Sequence, residues 1–542
     1  MLHKFGLSRS PILRAVQIAA MVFGCACPNL FAAPVIFRVA MTEPQSFYPS
    51  DQKTGNELLH YQLVYEALGR LDANGNVIPH LAEKFDIDAV KKTITITVRK
   101  GVVFSDGTIC DGNAVKWNLD KFVADSRPDI GTPQVTIDTS GNVVCKWESW
   151  RNNIFVQLAS RFIISPTAYE RGGATNDERK LAARSRPVGT GPFVLKDWIP
   201  SQMLVYGKNP KYRVSGKPFV DGIEIYALPD QTVAKTQFLA GDIDYITPSN
   251  SAVSKELLNS GYENIAPKTA IGGAARSLFP NSKDKIVTIG GKTVDNPLYD
   301  PDIRTAVALA VDREGLVKAL SWGIDSATTQ WMSPKSPYYC EEVDGIRSFD
   351  LMKAREIMKS KGYSESKLCD VSLWSTAQNA DYATAVQALL KQAYFNISIK
   401  TVQFSVISQM IGMTGEGWDG MVVQLGVIDA NPLNYWGAVL SEKPTQYVKG
   451  LDRTIVITKS ELPAKFAAYA GRTIPELFGY AMTTDKGDSV QAIQALSYYL
   501  ANKNIVIGTM ALGSNSFTSK GWTGVGILGG IQWTPEEIKK TK

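Results

Sequence analysis

The chain has 542 residues, a formal net charge of +6, and 44% hydrophobic against 20% charged residues. This balance is typical of a globular protein and excludes a largely disordered chain. The length corresponds to roughly three or four domain-sized units. No run of 18 apolar residues is present, so the sequence predicts no membrane-spanning helix.

The N-terminus has the pattern of a secretory signal peptide. Three basic residues precede an apolar run, and small residues follow it: Lys4, Arg9, Arg14, then 15–27, then Ala32 and Ala33. We predict a signal peptide over 1–32 and export to the periplasm. Lipid anchoring at Cys25 is the less favoured alternative, because Phe23 is too bulky for that signal. Removing the signal lowers the net charge to about +3, too little to indicate nucleic-acid binding.

The elements that follow predict an α/β protein. Strands are expected at 35–40 and at 93–98, where TITITV alternates strictly, and a helix over 56–68. Asp300-Pro301 is a typical helix start, and that helix should end near Asp312. Asp350 should cap a helix over 351–361 that Gly362 ends. The strand 371–374, the helix 381–394 and the strand 397–402 together predict a parallel βαβ crossover.

Four cysteines remain after export, namely Cys110, Cys145, Cys340 and Cys369. An even number in an oxidising compartment is typical of disulfides. We predict the pairs Cys110–Cys145 and Cys340–Cys369, because each pair lies within one expected domain. Buried free thiols are the alternative.

Catalytic and metal motifs are scarce. The mature chain keeps only His60 and His80, and it contains no GxSxG, HExxH or Walker motif. We interpret both histidines as structural or exposed, and we expect no catalytic residue, no metal site and no cofactor. A carboxylate-pair hydrolase stays open as an alternative class, since 52 acidic residues supply many pairs and no pattern selects one.

Seven segments in one order resemble the extracellular solute-binding proteins of family 5, the peptide- and nickel-type receptors of ABC importers. The PVGTGPF segment at 187–193 is the most specific, and its glycines suit a tight turn. The segments are VYEAL 64–68 with GNVIPHLAE 75–83, VRKGVVFSDG 98–107, PVGTGPF 187–193, NPKY 209–212, LAGDID 239–244, DIRTA 302–306 with VDRE 311–314, and 349–363.

This resemblance implies a large type II periplasmic-binding-protein fold with a ligand cleft between two lobes. The first lobe would hold 33–285 plus 506–542, with an extra subdomain at about 72–185. The second lobe would hold 286–505. The expected function is capture of a small solute by hinge closure and delivery to a membrane permease, by a monomer and without catalysis.

The resemblance also points to ligand-binding residues. In peptide-binding relatives an acidic residue in a second-lobe loop pairs with the ligand's α-amino group, and Asp429 is the candidate in the loop 424–432. Asp429 lies one position late, so Ile428 is the alternative occupant, which would remove the amine partner. Thr54 and Asn56 match in position a first-lobe segment that contacts the ligand in relatives, so the resemblance suggests them as ligand-binding residues. Three aromatic residues near the expected cleft loops could stack on a ligand: Trp331, Tyr435 and Trp436.

Arg276 completes the predicted site, because a guanidinium binds a carboxylate bidentately. The first ligand hypothesis is a short peptide or another amino-bearing solute. A non-peptide organic anion or a metal chelate held through carboxylates is the alternative. A receptor that signals to a membrane sensor has the same sequence features as a transport receptor.

Overall fold

The computed structural model describes residues 33–52, 55–72, 76–125, 130–248, 250–266, 273–330, 332, 336–346, 348–410, 418–428, 433–440, 451–513, 515–528 and 532–541. Within these ranges the side chains at 55, 56, 273, 274, 404, 408, 409, 425–428, 433–435, 438, 486, 527 and 528 are not described. The predicted signal peptide at 1–32 lies outside the described residues.

The strands occupy the following segments of the chain. They are β1 Ile36–Ala40, β2 Gly69–Leu71, β3 Val77–Pro79, β4 Ala82–Asp88, β5 Thr93–Val98, β6 Gln134–Ile137, β7 Val143–Lys146, β8 Phe193–Ile199, β9 Met203–Lys208, β10 Gly222–Tyr226, β11 Tyr245–Ile246, β12 Gly273–Pro280, β13 Ile286–Ile289, β14 Lys292–Asp295, β15 Ser326–Ala327, β16 Cys369–Ser375, β17 Phe395–Thr401, β18 Met421–Ile428, β19 Ile507–Leu512, β20 Phe517–Thr518, β21 Trp522–Thr523, β22 Ile527–Leu528, β23 Gln532–Trp533 and β24 Lys539–Lys540.

The helices lie between these strands and cover the sheets. They are α1 Gly55–Val64, α2 Gly112–Ala124, α3 Ile154–Ala159, α4 Pro166–Arg171, α5 Asn176–Ser185, α6 Gln231–Ala240, α7 Ser251–Asn259, α8 Pro301–Ala310, α9 Arg313–Ser321, α10 Glu341–Ile346, α11 Leu351–Ser360, α12 Ala380–Lys391, α13 Phe404–Gln409, α14 Leu433–Leu440, α15 Ile474–Thr483 and α16 Lys486–Asn502.

Three sheets carry the fold. The first has six strands in the order β20-β11-β1-β10-β9-β8, and the second has six in the order β15-β19-β12-β18-β16-β17. The third is a four-stranded sheet, β4-β5-β7-β6. We call the part built on the first and third sheets (33–266 and 515–541) the first lobe, and the part built on the second sheet (273–513) the second lobe.

The structure places two strands in the second lobe that the boundaries predicted from the sequence placed in the first lobe. β12 and β19 pair with each other in the second sheet, although the predicted boundaries at 285 and 506 assigned their segments to the first lobe. The third sheet and α2 fall inside the span expected for the extra subdomain, 72–185.

Local sequence patterns form the expected elements. The alternation in β5 buries every second residue, which gives the strand one apolar face. The Asp300 carboxylate caps α8, and Asp312 caps α9 directly after it. Asp350 caps α11, and Gly362 follows with a φ of 83°, which favours glycine. β16 and β17 are parallel and flank α12, so the βαβ prediction is confirmed.

The disulfide prediction is wrong. All four cysteines are buried free thiols in the structure. Cys340 packs in one hydrophobic cluster of the second lobe and Cys369 in another. Cys110 and Cys145 share a cluster around the third sheet without being bonded. Two thiols inside one domain pair only when their backbone geometry allows it, which spacing does not reveal.

The glycines of PVGTGPF have a different role from the one the turn suggested. Among the described residues with positive φ, neither Gly189 nor Gly191 appears. Instead, a Cβ on Gly191 would lie 2.5 Å from the carbonyl carbon of Val64, and one on Gly189 would lie 2.3 Å from the Val64 oxygen. The segment therefore needs glycine so that it can lie against the end of α1.

Candidate functional site

Arg276 lies on β12, an inner strand of the second sheet, and pairs with Leu425 of β18 and Met510 of β19. Its Nε donates a hydrogen bond to Asn379 Oδ1 at 3.1 Å. Its guanidinium carbon lies 5.5 Å from the centre of the Tyr382 ring. These contacts hold the guanidinium between a strand and the start of α12.

The Tyr382 ring is itself fixed. Thr509 Oγ1 donates to the Arg276 carbonyl oxygen at 2.8 Å, so the Tyr382 hydroxyl, 2.6 Å from Thr509 Oγ1, is the donor to threonine. Tyr382 is 1% exposed. Tyr382 and Asn379, which orient the guanidinium, are therefore more deeply buried than Arg276 itself.

This cluster lies at the carboxyl ends of the parallel strands of the second sheet. β16 ends at Ser375, and Thr376 and Asn379 lead directly into α12. Asn379 does not cap the helix with its side chain, and its Nδ2 donates to Thr376 Oγ1 at 3.2 Å. In open α/β sheets, ligands bind at this carboxyl edge.

The charge of Arg276 has no ion-pair partner in contact among the residues that the structure describes. Asp325 and Asp381 attract it at longer range, while burial lowers the pKa of the guanidinium. The half-buried guanidinium stays cationic, because an arginine remains protonated at neutral pH even when burial lowers its pKa. The site therefore presents a fixed positive charge.

Asp325 joins the two lobes near this cluster. Its Oδ1 accepts from the Gly513 amide at 2.9 Å, and its Oδ2 accepts from Ser251 Oγ, at the start of α7 in the first lobe, at 3.4 Å. Burial raises the pKa of this carboxyl group. α7 of the first lobe packs against α9 of the second, so Asp325 lies where the two lobes are in contact.

A second contact between the lobes involves Asn152, which lies between the third sheet and α3. The Asn152 backbone N–H donates to the Met482 carbonyl at 2.6 Å. Its side-chain Nδ2 donates to the carbonyls of Ala481 and Thr484 at 3.2 and 2.6 Å. One residue of the first lobe thus satisfies three carbonyls at the C-terminal end of α15, where a helix leaves carbonyls without internal partners.

The other predicted ligand residues are only partly described. Trp436 lies in α14 and is 2% exposed within a hydrophobic cluster of the second lobe. Asn56 and Tyr435 lie in the described backbone of α1 and α14. Asp429, Thr54 and Trp331 lie outside the described residues. Sequence reasoning did not select Asn379, Tyr382, Asp325 or Asn152, because only the tertiary fold brings them to Arg276 or to the other lobe.

Both histidines are structural. His60 is fully buried, with Nδ1 2.9 Å from the Tyr206 hydroxyl and Nε2 2.9 Å from the Thr42 carbonyl oxygen, and burial lowers its pKa to about 4. His80 Nε2 lies 3.3 Å from Glu66 Oε1, and burial together with nearby arginines lowers its pKa well below the usual value. No group of three or more metal-ligating side chains occurs in the described part of the chain.

A pocket that is partly open to solvent lies wholly within the first lobe. Its walls are mainly apolar, and Arg70 at its edge is paired with Glu536 at 2.9 Å. Among the described helices, none is long and apolar enough to cross a membrane.

Comparisons with known proteins agree with this architecture. The chain matches the family described as bacterial extracellular solute-binding proteins, family 5, over residues 76–447. It is 27% identical over 404 residues to the glutathione-binding protein GsiB of Salmonella paratyphi A, covering 72% of each chain. It is 21% identical over 364 residues to the nickel-binding periplasmic protein of Escherichia coli, covering 66% of this chain and 65% of the relative.

Solved structures share the fold. NikA from Brucella suis in complex with Fe(III)-EDTA superposes with a TM-score of 0.75 at 18% identity, over 93% of this chain and 100% of the other. The oligopeptide-binding protein AppA from Bacillus subtilis, in complex with a nonapeptide, gives 0.70 at 17% identity, over 94% and 100%. The chain belongs to the bacterial extracellular solute-binding proteins of family 5, a periplasmic and extracellular family, and has their two-lobed α/β fold.

Proposed function

We propose that this chain is the substrate-binding component of an ABC importer, which captures a small solute by closing its lobes and delivers it to membrane permease subunits. The observation that carries the proposal is the separation of the cores. Each hydrophobic cluster of the described residues belongs to one lobe only. Lobes without a shared core can move as rigid bodies about the strands that connect them.

The favoured solute is a short peptide or another amino-bearing compound. The relatives support this choice, since one is named for glutathione and a structural neighbour holds a nonapeptide. Asp429 would pair with the ligand ammonium, because a buried cation without a partner is costly. Thr54, Asn56, Trp331, Tyr435 and Trp436 complete the proposed ligand set. An organic anion or a metal chelate is the second candidate, supported by the relative named for nickel.

Transport rather than catalysis is part of this proposal, as are a periplasmic location after removal of 1–32 and a monomeric state. Its support is the family, together with the structural contacts that hold both histidines. An exported carboxylate-pair hydrolase is the alternative of another class.

The test is a thermal-shift screen of the mature protein with glutathione, dipeptides to pentapeptides, dicarboxylates and nickel–histidine complexes. Isothermal titration of each hit then gives the stoichiometry, and chromatography of the mixture gives its fate. One unchanged solute bound per chain supports the proposal. Hydrolysed solute, or the absence of any hit in the panel, would overturn it.

A further inference from the structure

We infer that Arg276, held by Asn379 and Tyr382 at the carboxyl edge of the second sheet, is a subsite for a carboxylate end of the captured solute. This inference deepens the proposed function and rests on it, because it places one chemical group of the solute between the lobes. It requires that the guanidinium have free donors and a fixed orientation.

A comparison with two other arginines of the second lobe shows that Arg276 has free donors. Arg304 uses its three guanidinium nitrogens on the carbonyls of Leu298, Tyr299 and Lys503, at 2.8 to 3.2 Å. Arg313 likewise donates to the carbonyls of Gly508, Ala308 and Val311. These two arginines therefore use their donors to join segments of the second lobe. Arg276 has one hydrogen bond among the described residues, through Nε, so the outer edge of its guanidinium keeps the two terminal nitrogens for another acceptor.

The orientation is fixed before a ligand arrives. Asn379 holds Nε, and the ring of Tyr382 lies against the guanidinium plane at 5.5 Å. Because Arg presents its donors as a rigid planar fork, fixing one edge aims the opposite edge. A carboxylate is the planar two-oxygen acceptor that fits this edge bidentately.

The neighbouring acids leave the terminal donors of Arg276 unoccupied within the described residues. Asp325 and Asp381 both lie close enough to attract Arg276, and they partly offset its charge. The Asp325 oxygens already accept from Gly513 and Ser251, so this carboxylate keeps its place beside the guanidinium. The selection of a carboxylate therefore rests on the geometry of the guanidinium fork.

Arg355 provides a matched control. It also donates one hydrogen bond through Nε, to the Gln392 carbonyl at 2.7 Å, and it also lies over a tyrosine ring, that of Tyr394, at 5.8 Å. It lies on α11, away from the carboxyl edge of the sheet. The two arginines therefore differ in location and not in the type of local contact.

The first experiment labels the wild-type chain with phenylglyoxal and maps modified arginines by mass spectrometry, with and without succinate or glutathione. We expect Arg276 to be modified and then protected by either carboxylate, whereas Arg355 is modified equally under all conditions. Equal modification of Arg276 with and without carboxylates would overturn the subsite. This readout tests the subsite even if the solute screen fails.

The second experiment measures glutathione binding by calorimetry in Arg276→Gln, Arg276→Lys and Arg355→Gln. We expect Arg276→Gln to weaken binding about 10- to 100-fold, the range for losing hydrogen bonds to a charged group. Arg276→Lys should not restore it, since lysine lacks the bidentate fork. Binding by Arg276→Gln equal to that of Arg355→Gln would overturn the inference, and unchanged melting temperatures show that all three variants are folded.

Discussion

A buried cluster in the first lobe and the Arg276 cluster in the second lobe use similar residues in opposite ways. Glu66 is 1% exposed, and its Oε1 accepts from Arg213 Nε at 2.8 Å and lies 3.3 Å from His80 Nε2. Arg213 also donates to the His80 carbonyl oxygen at 3.4 Å. In this cluster the charged groups bind one another. In the second lobe, Arg276 keeps part of its guanidinium unoccupied within the described residues.

Two of the segments that resemble the family meet at the Glu66 cluster. Glu66 belongs to VYEAL, and the glycines of PVGTGPF lie against the same turn after α1. Both segments therefore take part in the packing of the first lobe. Asn379 and Tyr382, which contact Arg276, lie outside the seven segments that resemble the family, although they lie where a ligand is expected.

The largest effect should come from opening the first-lobe cluster. Arg213→Ala leaves Glu66 buried without its cation, which costs about 3–5 kcal/mol in the free energy of unfolding. Urea denaturation measures this loss. The control is Arg184→Ala, because Arg184 pairs with Asp51 at the surface, 47% exposed, where a pair contributes less than about 1 kcal/mol. Equal losses in the two variants would contradict a structural role for the Glu66 cluster.

A somewhat smaller loss should follow Gly191→Ala. The added Cβ would lie 2.5 Å from the Val64 carbonyl carbon, and backbone atoms cannot move away cheaply. We expect about 1–3 kcal/mol of destabilisation, the usual cost of overpacking. Gly345→Ala is the control, since nothing lies within 4 Å of its Cβ position. If Gly191→Ala melts at the wild-type temperature, the close packing against α1 is not needed.

Acid should destabilise the first lobe through His60. The pKa of His60 is about 4 in the folded state and 6.5 ordinarily. Between pH 4 and pH 6.5, therefore, His60 is protonated in the unfolded chain and neutral in the folded chain. The free energy of unfolding should therefore fall as the pH drops below 6.5, by about 2 kcal/mol at pH 5 from this residue.

His60→Gln isolates that contribution, because His80 titrates in both proteins. Chemical denaturation of each protein at pH 7.5 and pH 5 gives the comparison. The variant should lose about 2 kcal/mol less than the wild type on acidification. Parallel pH profiles would show that burial does not depress the pKa of His60.

The smallest effect on stability should come from Asn152, where the lobes meet. Asn152→Ala removes the two side-chain bonds to α15 and keeps the backbone bond to Met482. We expect the ratio of closed to open molecules to fall about tenfold, from roughly 1.4 kcal/mol of lost hydrogen bonding. Small-angle scattering should show a larger mean radius at an unchanged melting temperature. Asn113→Ala, which removes a local bond to Asp111 in the same lobe, should leave the radius unchanged.

The sequence predicted the elements whose signals are local. Asp300, Asp312 and Asp350 cap the helices they precede, and alternation located β5. Arg276 was selected from its chemistry, but its partners Asn379 and Tyr382 are about a hundred residues away in the chain and only the pairing of β12 with the βαβ unit brings them together. Local spacing likewise could not show that Cys340 and Cys369 belong to different clusters.

The most direct measurement of the central claim is native mass spectrometry of the gently purified mature protein, paired with scattering of the same sample before and after mild denaturation and refolding. Closure over a solute predicts one small, chemically intact molecule per chain and a smaller radius for the loaded protein than for the emptied one. A loaded and an emptied protein of equal radius, or a released molecule that has been cleaved, would contradict capture by lobe closure.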